Sequence, residues 1–368
     1  MNSKERLNAV MDGRVPDRVP INTYELGMGF GSQADHPSYK TLWDEVRTKT
    51  DLVVMWAPLG NGTFIQTAHP IEMDVEKRRD GEETVTEYVA HTPEGDLKKV
   101  TKVIENVRTT WQVEHWCKTP DDVDRALSAP FAPVAYDGAE LKRIREDLGD
   151  GGIVMASCGD PLCEAAELMN FGEYTIWAMT ETDHFVRTLD RLHERIMTNL
   201  ANMLDAAPVD MVRICGPEYA TPPYMPPELF ERFVVPYVRE MTELIRSRGI
   251  RVRLHSHGKI GRVVDHIATI RPDAIDPCEP PPDGDITLAE LKERLPEVTL
   301  FGDIELKLLE HGSQEEVRAK VRDSMRQGKP GGRFVLMPTA APINVPLSPK
   351  TAENYITMIE TASEMADY

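Results

Sequence analysis

From about residue 150 onward, short apolar runs alternate with longer stretches whose apolar residues recur every three or four positions. The short runs lie at 153–156, 209–214, 250–254, 274–275, 298–301 and 334–337. Between them the spacing predicts helices. Over 183–204, Phe185, Leu189, Leu192, Ile196, Leu200 and Met203 fall on one face. Further helices are expected over 226–248 (stopped by Gly249), 259–270, 287–294, 314–326 and 349–365, the last capped by Ser348 ahead of Pro349. Before residue 150 the pattern gives a helix over 3–12 and strand candidates at 21–24 and 51–56. The glycine-rich stretch 27–31 lacks the spacing of a nucleotide-binding loop and reads as a mobile connection. Residues 71–117 differ. Turn signals at Asp80-Gly81 and Glu94-Gly95 separate runs rich in Val, Thr, Tyr and Ile, which predicts an antiparallel meander.

Strand–helix alternation in units of about 25–60 residues implies a parallel sheet covered by helices, and this many repeats favour a closed (β/α)8 barrel, the TIM barrel, over an open doubly wound sheet. The expected organisation is one α/β barrel domain over 1–368, with an N-terminal helical extension (1–50) and an inserted β-meander at about 71–117. No internal repeat or low-complexity linker divides it.

Composition narrows the function classes. A net charge of −19 argues against nucleic acid or an anionic membrane as main partner. No stretch approaches the roughly 18 apolar residues of a membrane span, and the N-terminus lacks the apolar core of a signal peptide. The five cysteines are scattered, odd in number and free of CxxC spacing, so a reducing cytoplasm is the expected location.

In a barrel of this kind, function sits at the C-terminal strand ends. Those ends carry Asp160, Glu218, His255, His257, Glu279, Asp303 and Thr339, while the strand interiors are mostly Val, Ile, Leu and Met. His255 and His257 stand two apart on an extended backbone and point to one side. With Glu279 from the next strand end they make a candidate site for zinc or another divalent metal; the plainer reading is a polar strand end. Glu218 and Asp160 are candidate catalytic carboxylates, each also suited to satisfying a helix start. Tyr24, Trp56, Asp303 and Thr339 are candidate substrate contacts. Cys278 is expected to be buried or to stand behind the ligands, and His184, His193 and His266 to be structural.

Several stretches carry a resemblance in order along the chain: Val209-Asp210 with Gly216-Pro217-Glu218, the helix opening at Met225-Pro226-Pro227 with Val235-Pro236-Tyr237, His255-Ser256-His257-Gly258, Asp276 to Glu279, and Phe301-Gly302-Asp303-Ile304. Through them the chain resembles the uroporphyrinogen decarboxylase superfamily, which implies one (β/α)8 barrel and, by habit of that group, a dimer. True porphyrinogen decarboxylases hold substrate carboxylates with an arginine-rich N-terminal segment and use an aspartate after an early strand. Here no arginine lies between Arg18 and Arg47, and the second strand candidate ends in Trp56-Ala57-Pro58. The chain is more similar to the corrinoid-dependent methyltransferases, whose zinc site pairs His-x-Cys with a later cysteine. In this chain a histidine replaces the first cysteine, and 337–341 has no sulfur beyond Met337. The resemblance therefore implies a metal-dependent methyltransferase component moving a methyl group from a small methoxy-type substrate to cobalamin carried by a partner protein, or between methylcobalamin and an acceptor. Alternatives are a lyase acting on a small carboxylic acid, with Arg213 and Arg253 as the nearby cations, and a non-catalytic metal-binding barrel.

Overall fold

The structure, a computed structural model, describes all residues except Glu25 and 27–35, so the glycine-rich stretch 27–31 lies outside the described residues. The described residues contain thirteen strands, in chain order β1 Leu52–Met55, β2 Leu59–Gly60, β3 Glu72–Asp80, β4 Glu83–Thr92, β5 Gly95–Ile104, β6 Thr110–Glu114, β7 Tyr136–Asp137, β8 Gly152–Gly159, β9 Met211–Cys215, β10 Arg251–His255, β11 Ala274–Asp276, β12 Thr299–Ile304 and β13 Phe334–Pro338. Seven of them form one parallel sheet in the order β1-β8-β9-β10-β11-β12-β13, with helices in the crossovers.

The strand expected at 21–24 is reduced to a single bridge, yet it closes the curve. Ile21 bridges Leu336 of β13 in parallel. Asn22 N–H donates to Leu336 O at 2.9 Å, and Asp51 N–H donates to Ile21 O at 2.6 Å just before β1. The buried Asp51 carboxylate accepts from Ile21 N–H and is neutralised by Arg6 and Arg18. The segment is short because Pro20 has no N–H to extend the ladder. The result is the barrel-like α/β fold that the alternation predicts.

The inside of the curve is packed rather than hollow. Val53, Ile153, Met155, Met211, Ala274, Phe301, Val335 and Met337 form one buried cluster with Leu7, Val10 and Met11 of the helix Ser3–Met11. That helix starts with a capping box between Asn2 and Glu5. It lies against the N-terminal strand ends: Thr299 Oγ1 donates to Val10 O, and Arg251 pairs with Asn8 and Asp12. The floor of the barrel is thus plugged, leaving the opposite end as the mouth.

The meander is present as a separate antiparallel sheet, β3-β4-β5-β6, whose first two hairpins turn at Asp80–Glu83 and Thr92–Gly95. Ala90 and Leu97 bury against the main core, and Arg108 N–H donates to Ile343 O, fastening this sheet beside the loop after β13. Among the described residues, no helix is long and apolar enough to cross a membrane.

Candidate functional site

Strand β10 sets the centre of the mouth. Alternation turns Arg253, His255 and His257 to the inside, while Ser256 faces the other way and shares a buried hydrogen bond with Thr221 at 2.9 Å. The two imidazoles stand edge to face with ring centroids 4.7 Å apart.

Each imidazole has its own carboxylate. His255 Nδ1 lies 2.9 Å from Asp276 Oδ2, and His257 Nδ1 lies 2.9 Å from Glu279 Oε1. A carboxylate at Nδ1 favours the tautomer with its proton there, the form in which Nε2 carries the lone pair. Asp276 is fully buried and also takes a bidentate pair from Arg253, at 2.8 and 2.7 Å. Burial alone would raise its pKa; Arg253 and His255 overcome that and hold it well below the usual carboxylate range. Burial likewise opposes charge on His257, but the bond to Glu279 raises its pKa while Glu279 is lowered in return.

This geometry reassigns Glu279. Its Oε2 accepts from Gly258 N–H at 2.8 Å while Oε1 holds His257, so it orients a ring rather than standing as a third donor beside the two. Among the described residues, no three His, Cys, Asp or Glu side chains gather as a metal cage. The donors nevertheless fit a divalent metal held by two imidazoles, because both rings are backed by carboxylates as metal-binding histidines usually are. Thiolates are not on offer nearby. Burial pushes the Cys215 thiol, 3.4 Å from Ser157 Oγ, up to about 11, and Cys278 is buried with its pKa raised well above the usual thiol range by desolvation.

The other expected residues separate into those at the mouth and those turned away. Tyr24 reaches in from the closing segment. Its hydroxyl accepts from Arg213 at 2.9 Å, and its ring lies 5.6 Å from the Arg213 guanidinium, 6.0 Å from that of Arg253 and 6.5 Å from His255. Glu218 sits half-buried in the turn after β9, its Oε2 accepting from Gly216 N–H. Gly216 has φ +130°, and a Cβ there would lie 2.0 Å from Asp160 Oδ1, so only glycine fits.

Asp160 does not open on the mouth. It is fully buried, and its Oδ1 caps the helix Pro161–Leu168 through Cys163 N–H at 2.7 Å. Its other oxygen has no hydrogen-bond partner among the described residues, and burial, with Glu218 and Glu164 adding charge, drives its pKa well above the usual range. Asp303 pairs with Lys320 and Ser324 of the outer helix Gln314–Gly328. Thr339 Oγ1 accepts from Leu306 N–H at the start of a helix, and Trp56 Nε1 donates to Glu140 near solvent. Each of these last three thus has a partner within the fold.

Two further polar groups carry no motif of their own in the sequence: Glu164, at the start of the helix after β8, and Gln66, whose Nε2 donates to Glu164 Oε1 at 2.8 Å. No local pattern joins residues 98 positions apart. The one available signal was Glu164's place on the first turn of a helix leaving a barrel strand.

Residues 98–364 match the uroporphyrinogen decarboxylase (URO-D) family. No curated protein sequence matches the chain. Among solved structures, a methyltransferase from Methanosarcina mazei superposes with a TM-score of 0.62 over 99% of both chains at 18% identity. A D-psicose 3-epimerase from Clostridium cellulolyticum H10 gives a TM-score of 0.37 at 9% identity, covering 63% of this chain and 86% of the other.

Proposed function

Because the chain belongs to the uroporphyrinogen decarboxylase family, we propose that it works as a methyltransferase, taking a methyl group from a small methylated substrate of methoxy type and passing it to cobalamin carried by a partner protein. The observation that carries this reading is the pair of carboxylate-backed imidazoles at the end of β10. The likeness in fold to the Methanosarcina mazei methyltransferase supports it.

In this reading His255 and His257 hold a divalent metal, zinc by the family resemblance, through Nε2. Bound there, the metal supplies Lewis acidity toward an oxygen of the substrate, since a nitrogen-ligated site suits oxygen better than sulfur. Asp276 and Glu279 keep the rings in register and raise their donor strength. Tyr24 lies over the two guanidiniums and offers an aromatic wall to an apolar methylated group. The buried floor of Met155, Phe301 and Met337 keeps water from the reacting atoms.

The competing lyase reading needs a cation to anchor a carboxylate. Arg253, one of its two candidates, already gives two hydrogen bonds to Asp276, which favours methyl transfer. The test is metal analysis of protein prepared with metal supplied, with and without His255→Ala, followed by mixing with a Co(I) corrinoid protein and a panel of methoxylated compounds. Stoichiometric metal that disappears in the variant, and a methylcobalamin spectrum, are expected. Metal-free wild-type protein, or an unchanged corrinoid spectrum across the panel, would sink the proposal.

A further inference from the structure

The loop between β2 and β3 contains a conformation that polypeptides avoid. Ile65 and Gln66 both lie in the left-handed region, with φ of 31° and 59°. Neither is glycine, and Ile65 is β-branched, so the turn is strained and persists only where its surroundings enforce it.

Two buried side chains of the helix Thr182–Ala206 do the enforcing. Arg195 donates to Ile65 O at 3.1 Å and to Leu127 O and Ala129 O at 3.1 and 2.7 Å. One turn further on, Asn199 donates from Nδ2 to Gln66 O at 2.8 Å and to Gln66 Oε1 at 3.2 Å. Asn199 Oδ1 accepts from Val134 N–H, which sets the orientation of its own amide. Because Asn199 claims the oxygen of the Gln66 amide, the nitrogen end must point outward. It meets Glu164 Oε1 at 2.8 Å.

Glu164 stands over the inner rim of the barrel. Met155, Ser157 and Gly159 share the inward face of β8, and a Cβ on Gly159 would lie 3.3 Å from Glu164 Oε1. The titratable groups facing it are Asp160, Cys163 and Glu167 from its own segment, Cys158 from β8 and Tyr136 from β7. All are acids in their neutral or ionised forms, so the surroundings favour a proton on this carboxyl. Burial, opposed by the Gln66 bond and aided by Glu167, raises its pKa to about 7.

We infer that Glu164 is the proton donor to the group that leaves when the methyl is taken, and that Gln66 is the positioning residue that aims it. This rests on the methyl-transfer reading. In the step, the methyl carbon exchanges its bond to the substrate heteroatom for one to the Co(I) corrinoid of the partner protein, which supplies the electron pair of the new bond. The electron pair of the broken bond stays on the heteroatom, which takes the proton of Glu164. The carboxylate so formed, stabilised by the Gln66 N–H, is reprotonated from water. A carboxyl that titrates near neutrality suits an acid working at that pH.

The test reads Glu164 directly, by carbon-13 NMR titration of labelled glutamate side chains in the whole chain, the resonance being assigned by its loss in Glu164→Gln. The wild-type midpoint is expected near 7. Gln66→Leu removes a bond that favours the ionised form, so the midpoint should rise by about one unit. Gln66→Asn, which shortens the amide, should move it in the same direction and serves if the Leu variant does not fold. In methyl-transfer assays, kcat should fall as pH rises through the wild-type midpoint. That limb should shift upward with the Gln66 variants and vanish in Glu164→Gln, whose rate drops by roughly 10²–10⁴.

A wild-type midpoint at the ordinary glutamate value overturns the inference even where methyl transfer is demonstrated, as does a Gln66 variant that slows turnover with its limb unmoved. A midpoint near 7 with no transfer to any corrinoid overturns the functional reading, and the donor role with it, while leaving the Gln66–Glu164 pairing in place.

Discussion

Asp276 and Glu279, at the end of β11 and just after it, each lie against a base, whereas Asp160 and Glu164, after β8, lie against further acids. The same carboxyl group therefore behaves in opposite ways about one barrel opening. On the β10–β11 side, Arg253 and the two histidines keep the carboxyls ionised, and these spend their charge on orienting rings. On the β8 side, burial among like groups keeps protons on. Pairs of acids whose surroundings push their pKa values apart are a common basis for dividing labour in active sites. Here the division follows from the charged neighbours: Arg253 of β10 stands beside Asp276, whereas the titratable groups about Asp160 and Glu164 are acids.

The largest break in this contrast is expected from Asp276→Asn. It leaves Arg253 buried beside a neutral group, and removing one partner of a buried pair costs about 3–5 kcal/mol, measurable as a lower urea midpoint. Because the folded pKa of Asp276 is depressed, its contribution is present above the unfolded value, about 4, and is lost as pH falls below it. The stability difference between wild type and Asp276→Asn should therefore narrow in acid. A gap that stayed constant down to the acid transition would refute the assignment.

Glu279→Gln sharpens the same side without emptying it. The amide can still contact His257 but no longer supports it with charge, so metal affinity or turnover should fall about 10–100-fold, as for other carboxylates behind metal-binding histidines. Complete loss of binding would show Glu279 to be a donor itself.

Glu164→Gln probes the opposite side and has the opposite sign for stability. A carboxyl whose folded pKa is raised stabilises the fold below its unfolded value and loses that contribution as pH rises to about 7. The variant should match wild type near pH 4 and exceed it by roughly 1–3 kcal/mol at pH 8, read from thermal or urea unfolding. Equal stability at both pH values would erase the contrast. A site that lowers stability in return for reactivity is a familiar pattern.

The smallest effect is expected at Thr339→Val, which removes one hydrogen bond to Leu306 N–H, about 1 kcal/mol. Turnover should stay within a factor of two of wild type; a larger loss, with KM raised, would restore Thr339 as a substrate contact.

The fold was largely legible because apolar period and turn residues report on local geometry. Gly249 ends a helix, Asp80-Gly81 turns a hairpin, and the histidine pair lies at a strand end as its spacing implies. What stayed hidden depends on direction and distance. Glu279 belongs to the site, but nothing in the sequence shows that His257 Nδ1 takes up its carboxylate. Asp303 ends a strand and yet turns to Lys320, because a buried carboxylate goes to whichever cation its neighbours supply. Asp160 precedes a proline, a position where capping competes with catalysis, and capping prevails. Gln66 was invisible because its placement is imposed by Arg195 and Asn199, far along the chain.

The single bridge at Ile21 joins the two ends of the seven-stranded sheet and runs directly into Tyr24. A chain started beyond that point would lose more than one aromatic side chain. β1 and β13 would become two open edges with unanswered backbone groups, the arrangement that lets sheets of different molecules pair with one another. Such a truncation should therefore reveal itself first as self-association in light scattering, before any change in chemistry could be measured.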